Sequence, residues 1–583
     1  MSPAAIVSIG RATSSEHFDT MKAYLANQIN DVLSEMEGIP DDFVPEFEKP
    51  NNPDHGDLSS NVAMQLARHL RRSPRHIAED LAEKLRKKPL DADRVSAIEV
   101  AGAGFLNFRF SEEYLAASVS DLLEAGSVFG RSIRGNGLTA IVEYVSANPT
   151  GPLTVGHGRN AVLGDTIANL LEWSGYDVTR EYYFNDGGRQ MRILGESVRA
   201  RYQVLVDPDT PRKQIKIAEN EWADVPESFP EDGYLGGYIN DIAQTLYDEH
   251  GAGLDASEVK SFKEAAEKAI FSDIEQTMHR LGIRMDSFFN EFSLYEDNRV
   301  WSTLDALREK GYVYDKDGAV WFKTTEFGKE EDTVLVKSSG EPTYRLPDIA
   351  YHLDKLDRGF DRVVDVFGAD HIATYPDVLD GVRVLGHDPS KIDVVIYQFV
   401  TLVRGGEPMK MSTRKATYVT LDELMDEVGE DVTRYFFLMR SPNTHLEFDL
   451  DLAREASEKN PVFYLQYAHA RICSILRKAE DVGFTFAGEP DLSLLEHESE
   501  IALMKEILRL PEVIERACDL KEPHAVANYL RDVAVAFTQF YGNCRIIGED
   551  RNVATARMSL AEATRIALQN GLTVLGISAP ERM

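Results

Sequence analysis

The apolar positions of this chain change their period several times along its length. Over residues 16–37, Phe18, Met21, Leu25, Ile29, Val32 and Leu33 recur at helical intervals, which predicts a helix with one buried face. A short strand pair over "SAIEVAGAGFLNFRF" ends near Phe110 and completes a compact α+β unit. The turn-rich "SVFGRSIRGNG" (127–137) predicts a linker. Next, "LTAIVEYV" (138–145) is an apolar run with β-branched residues, as a buried parallel strand requires. Helical periodicity follows in "GRNAVLGDTIANLLEWSG", with Gly175 as a stop, and "DVTREYYF" (177–184) predicts the next strand. Strand, glycine loop, helix and strand together open a doubly wound α/β nucleotide-binding fold.

From about 200 to 270 the chain is acidic and predicted mostly helical, an insertion with "DVPESFPEDGYLGGY" as an internal loop. "GAVWFKT" and "DTVLVKSSGEPTYRLPDIAYHLDKL" predict a hairpin leading into a helix, and "DRVVDVFGADH" and "KIDVVIYQFVTLV" supply the strands that complete the sheet. From Leu421 onward the pattern is one amphipathic helix after another. The expectation is a multidomain α/β protein. An N-terminal α+β unit (1–126) precedes a Rossmann-type doubly wound parallel-sheet domain (127–420), and an all-α bundle (421–583) closes the chain.

Composition narrows the classes. A chain of 583 residues is too long for a single core. No apolar run is long enough to span a bilayer, and the N-terminal residues lack the basic and apolar regions of a secretory signal, so a cytoplasmic protein is expected. Cys473, Cys518 and Cys544 are odd in number and widely spaced, which excludes a disulfide framework or a CxxC metal knuckle; no protein-bound zinc is expected. The formal net charge is -34, with the acids dispersed rather than gathered in a tail. Dispersed carboxylates keep a surface hydrated in concentrated salt, where their repulsion is screened, so a salt-rich cytoplasm is one reading and an ordinary acidic enzyme the other. Under high salt counterion release adds little affinity, and any RNA contact must rely on shape and stacking.

The chemistry starts at "SANPTGPLTVGHGRNAVLGD" (146–165), four glycines and two prolines around His157 where a strand end meets a helix. No Gly-Lys-Ser/Thr follows, so this is not a P-loop. Gly156 and Gly158 let backbone approach a nucleotide, the helix N-terminus favours phosphate, and His157 can donate to phosphate oxygens as charge builds. A glycine-rich turn with a structural histidine is the plain alternative. A second loop, "GGEPMKMSTRKAT" (405–417), carries Lys410, Arg414 and Lys415 among small hydroxylated residues, a pattern suited to a flexible triphosphate clamp or to a solvated basic loop.

The pair "TVGH" and "KMSTR" resembles the two ATP-binding motifs of class I aminoacyl-tRNA synthetases. "VEYVSANPTGPLTVGHGRNAVLGD", "NDGGRQ", "YLGGYI", "NEFSL", "NPVFYLQYAHARI" and "APERM" resemble the arginyl family specifically, over nearly the whole chain. That resemblance implies ATP (with Mg²⁺), L-arginine and tRNA(Arg) as partners, no membrane association, and a monomer. It implies ATP contacts at Thr154, Gly156, His157, Gly158, Asn160, Lys410, Met411, Ser412 and Arg414, with His157 and Lys410 catalytic. Two departures stand out: Thr154 occupies the usual first histidine position, and Thr413 the second lysine position.

A guanidinium is planar with five fixed donors, so its pocket calls for bidentate carboxylates and an aromatic wall. Tyr344 and Asp348 stand four apart in "YRLPD", on one face if helical, and the resemblance assigns them to the substrate side chain or, read without it, to an ordinary helix cap. The resemblance adds Glu143, Asn148 and His371 to the arginine site, His371 standing where many relatives carry Gln. For tRNA it implies Phe105 and Asn107 at the elbow, and Tyr467, Tyr541 and Met583 in an anticodon-binding bundle. The competing roles are a core Phe and a turn Asn at the elbow, and core packing for each residue of the bundle. Two other functions compete: an adenylate-forming enzyme for a different substrate on the same fold, and a tRNA-binding relative without chemistry.

Overall fold

In the computed structural model, residues 20–50, 52–87, 90–186, 188–218, 221–409, 419–481 and 490–583 are described. Positions 410–418, with Lys410, Met411, Ser412, Thr413, Arg414 and Lys415, lie outside them, as does Phe18.

The first helix, Met21–Leu33, buries Met21, Leu25, Ile29, Val32 and Leu33, the predicted face. It packs with the helices Val62–Leu70 and Pro74–Lys87 on a small antiparallel sheet that contains Val95–Ala101 and Phe105–Phe110, around a core of its own.

The main sheet has five strands, all parallel. Across it run Ile392–Tyr397, Arg362–Gly368, Thr139–Glu143, Asp177–Phe184 and Ser287–Asn290. From the central Thr139–Glu143 strand the chain first builds outward on one side, then crosses to build on the other. The strand order therefore reverses between Thr139–Glu143 and Arg362–Gly368, and a crevice opens at their C-terminal ends, where ligands bind in such folds. The helix Val155–Trp173 follows the central strand and is buried on nearly every side, because the bundle covers the face it turns away from the sheet. Gly158 makes room for this: a Cβ there would lie 2.6 Å from Leu421 and 3.0 Å from Phe437.

Three expectations need correction. Residues 200–270 are not simply helical: Arg212–Ala218 and Glu221–Pro226 form an antiparallel hairpin between helices, its first strand carrying only the short Ile215/Ile217 alternation as a signal. "KIDVVIYQFVTLV" is not one addition to the main sheet, since only Ile392–Tyr397 joins it. Val400–Arg404 leaves to pair with Glu407–Pro408 and Leu446–Asp449. Third, Asn107 was weighed as a turn residue but lies within a strand. The predicted hairpin after 319 is present as part of a three-stranded sheet (Val313–Lys316, Ala319–Phe322, Thr333–Val336), followed by the helix Arg345–Asp357.

The C-terminal helices Pro461–Asp481, Glu498–Ile507, Leu510–Leu520, His524–Asn543 and Arg551–Val574 form the expected bundle. Its apolar interior is continuous with that of the five-stranded sheet, so the two pack as one body around the Val155–Trp173 helix. Among the described residues no helix is long and apolar enough to cross a membrane.

Candidate active site

The site is built where the central strand ends. Immediately after Glu143, Val145 and Ser146 adopt left-handed backbone conformations (φ 64° and 44°), unusual for a β-branched residue and for any residue with a Cβ. Side chains hold this kink. The Val145 N–H donates to Asn160 Oδ1 at 2.6 Å, while Asn160 Nδ2 donates to the Val366 carbonyl at 2.8 Å. Asn160 thus bridges the two strand ends that flank the crevice. As folded, both ends of its amide are engaged with backbone.

Thr154 caps the helix that follows. Its backbone N–H donates to His157 Nδ1 at 3.1 Å. A backbone N–H can only donate, so Nδ1 is the acceptor and the proton of the neutral ring sits on Nε2. Burial also lowers the His157 pKa, which keeps the ring neutral. The imidazole is therefore a neutral N–H donor of fixed tautomer. A Cβ at Gly156 would meet only Thr154 Oγ1, at 3.8 Å, which leaves the backbone there accessible to a ligand. Beside it Arg159, fully buried, donates to the carbonyls of Gln398 (2.5 Å), Thr444 (3.0 Å) and Ser441 (3.1 Å). It pins the helix start to the segment after the fifth strand. Its charge could not have been read as structural from sequence, because its partners are all backbone atoms far downstream.

On the other flank, the Arg345–Asp357 helix begins at the same edge of the sheet. Tyr344 is its N-cap residue and is 77% exposed, and Asp348 sits in the first turn, where the helix dipole favours a carboxylate. Asp348 retains partial solvent access, yet protein surrounds its carboxyl. Desolvation raises its pKa to about 7; His352 and Lys355 oppose the rise, Glu143 and Glu291 add to it. Glu143 is buried, its Oε2 accepting from Lys355 Nζ at 2.5 Å and its Oε1 from Ser146 Oγ at 2.9 Å. Burial drives its pKa upward, against the pull of Lys355. Glu291, which precedes the "FSL" helix turn, accepts from the Tyr183 hydroxyl at 2.7 Å. Glu291, within "NEFSL", is a further candidate that no local pattern marks, because its neighbours Tyr183 and Asp348 come from distant segments. Its pKa too is raised by burial.

Asn148 is exposed; it donates to Gln190 at 3.2 Å and accepts from the Asn185 N–H at 3.2 Å, tying the loop to the start of the next helix. His371 follows the Arg362–Gly368 strand, exposed, with its ring stacked on Phe367 at 4.9 Å. Glu143, Asn148, His157, Asp348 and His371 thus all stand at the C-terminal edge of the sheet or on the elements beginning there. Among the described residues no group of three or more His, Cys, Asp or Glu could hold a metal ion.

The RNA-facing candidates are dispersed. Phe105 is half-buried at the start of its strand; Asn107 is only 4% exposed and its Oδ1 accepts from Ser59 at 2.7 Å, so as folded its side chain lies inside the sheet. In the bundle, Arg471 donates to the Tyr467 hydroxyl at 2.6 Å and lies 4.6 Å over the Tyr541 ring. Tyr541 and Met583 are both exposed. The last residues are strapped to this surface by His469 on the Pro580 carbonyl and Arg477 on that of Glu581.

Comparison with known proteins agrees with this architecture, domain by domain. Residues 23–110 match the family described as arginyl tRNA synthetase N terminal domain, 118–444 the tRNA synthetases class I (R) catalytic domain, and 465–583 the DALR anticodon binding domain. The chain is 62% identical to an arginine–tRNA ligase of Salinibacter ruber over 564 residues, covering 97% of this chain and all of that protein. A second, from Desulfotalea psychrophila, is 49% identical over 539 residues, 92% of this chain and 94% of the relative. The fold is that of the Thermus thermophilus arginyl-tRNA synthetase structure, with a TM-score of 0.75 at 24% identity, over 97% of this chain and 100% of the other. By its sequence along the full length and by its three domains, the chain belongs to the arginyl-tRNA synthetases of class I.

Proposed function

We propose that this arginine–tRNA ligase joins ATP and L-arginine in the crevice between the central strand and its Arg362–Gly368 neighbour. The arginine carboxylate attacks the α-phosphate in line, forming arginyl-adenylate and releasing pyrophosphate. A ribose hydroxyl of the 3′-terminal adenosine of tRNA(Arg) then attacks the activated carbonyl, forming the arginyl ester and releasing AMP, and no covalent enzyme intermediate is formed. The protein's part is placement and charge stabilisation. ATP enters as its Mg²⁺ complex. The Nε2–H of His157 donates to the phosphate oxygens, Gly156 and Gly158 allow close backbone approach, and Thr154 fixes the tautomer of the imidazole as its helix cap. Lys410, Met411, Ser412 and Arg414 complete the phosphate clamp in this reading; they lie outside the described residues. Asn160 acts by holding the strand ends in place.

Asp348 and Glu291 receive the guanidinium, Tyr344 closes over it, and Asn148, Glu143 and His371 address the α-amino and carboxylate end. The observation that carries this reading is the raised pKa of Asp348, with the charges of Glu143 and Glu291 bearing on it. A half-buried acid among other carboxylates calls for a cation from the crevice, and a planar five-donor cation fills that role where the point charge of lysine leaves lone pairs unpaired. On the tRNA side, Tyr467, Tyr541 and Met583 offer a surface for unpaired anticodon bases, where stacking contributes about 1–3 kcal/mol per base and tolerates salt. Phe105 stacks at the elbow; Asn107 reads a base there only if its bond to Ser59 gives way. We assign the protein to the cytoplasm, as a monomer. Charging of total tRNA with labelled amino acids in high potassium chloride tests the whole: arginine alone should be incorporated, and incorporation of lysine or of nothing would refute it.

A further inference from the structure

Beneath the arginine pocket lies a set of buried charges of which the mechanism above uses only Glu143. Asp365 and Glu143 are register partners on adjacent parallel strands, so two carboxylates stand side by side in the core. Lys355 Nζ lies 2.5 Å from each. His352, 4% exposed, sits one helical turn below Asp348: its Nδ1 is 2.7 Å from the Asp348 carbonyl oxygen and its Nε2 is 2.9 Å from Asp365 Oδ2. Both partners are acceptors. A carbonyl oxygen cannot donate, and Asp365, whose Oδ1 accepts from the Lys355 ammonium, is held ionised chiefly by that charge. A neutral imidazole has a single N–H and would leave one of these contacts as acceptor facing acceptor in a dry interior. The hydrogen-bond directions therefore require a ring protonated on both nitrogens.

We propose that His352 is a buried imidazolium that serves as the positioning residue for Asp348 and keeps that carboxylate charged for the guanidinium. With it, Lys355 and His352 balance Glu143 and Asp365, and the pocket floor beneath Asp348 is neutral. Without it the floor carries a net negative charge, and Asp348 would hold its proton instead of a substrate. The groups facing the ring are Asp348, Tyr351 and Lys355 on its own helix, Asp365 on the neighbouring strand, and Glu143 one strand further. The raised His352 pKa, pulled up mainly by Asp365 against burial and Lys355, agrees with the geometry.

The inference rests on Asp348 receiving the guanidinium, and the experiment separates the two ideas. In the full-length enzyme with tRNA and ATP, His352→Gln should raise the KM for arginine about ten-fold while the KM for ATP stays put. The acid limb of kcat/KM for arginine should move up by about one pH unit, so that raising the pH restores much of the loss. In the unmodified protein, ¹⁵N histidine spectra, assigned by the signal missing in the variant, should show both ring nitrogens of His352 protonated at pH 8. One bare nitrogen at that pH, or an acid limb that does not move, overturns the proposal; where His352→Gln folds poorly, His352→Asn supplies the missing signal and the spectrum decides. If Asp348→Asn raises the arginine KM and His352→Gln does not, only the proposal fails; if Asp348→Asn leaves it unchanged, the pocket reading fails and takes the proposal with it.

Discussion

Lys355 Nζ and Glu143 Oε2 lie 2.5 Å apart, although 212 positions separate the two residues in the chain. Neither is reached by solvent, and the ammonium also faces Asp365. Removing one member of a buried ion pair leaves its partner charged in a dry interior, at a cost of about 3–5 kcal/mol. Lys355→Met should therefore lower stability by that order in chemical denaturation and abolish arginine-dependent charging. A variant as stable as the parent would mean that Glu143 takes up a proton without consequence.

Asp348 sets a pH dependence. With its pKa near 7 in the empty pocket, the carboxylate is protonated in acid, and arginine must displace that proton to bind. The kcat/KM for arginine should rise with pH through about 7 and level off above. Stability runs the opposite way. The folded state binds more protons than the unfolded chain between the ordinary carboxylate pKa and about 7, so the ligand-free protein loses stability as pH rises through that window, and arginine restores it. Thermal melts at pH 5 and pH 8, with and without arginine, check both signs.

His157 acts on phosphate rather than on arginine in this account. His157→Ala should lower kcat by about 10²–10³, as loss of one preorganised donor to a developing charge does, with the arginine KM little changed. A loss confined to the arginine KM would place this ring in the wrong subsite.

Gly164 is a packing test outside the chemistry. A Cβ there would fall 2.2 Å from Cγ of the buried Tyr144, so the ring and its strand end must shift. Gly164→Ala should destabilise by about 1–3 kcal/mol, the usual range for overpacking. An unchanged melting temperature would show that the ring has room to move.

Salt should stabilise this protein. Three bridges with partly exposed lysines, Lys22–Glu512, Lys49–Glu506 and Lys505–Asp57, tie the N-terminal unit to the bundle at 2.8, 2.8 and 2.6 Å, and screening at their solvent-facing ends weakens them by at most about 1 kcal/mol each. Against that stands the self-repulsion of a net charge of -34, which screening relieves throughout the molecule. The melting temperature should rise between 0.1 and 2 M potassium chloride on the order of several degrees. A fall would mean that the bridges outweigh the repulsion.

The sequence by itself determined the elements whose signal is local. The helix face of Met21, Leu25, Ile29, Val32 and Leu33 was legible because a 3.6-residue period reports burial directly. The strand–glycine loop–helix around His157 was legible because its loop needs small residues wherever it occurs. The positions resembling the arginyl family picked out Glu143 and Asp348 without any knowledge of their surroundings. Only the tertiary structure decided what those surroundings are. The cations beneath the pocket, Lys355 and His352, look in sequence like ordinary members of an amphipathic helix. Their role exists because strand order brings Asp365 beside Glu143, and register is a property of the sheet rather than of either strand. Arg159, which binds three distant carbonyls, and Val400–Arg404, which leaves the main sheet for another, were hidden for the same reason. Local patterns state which face is buried, and long-range pairing decides against what.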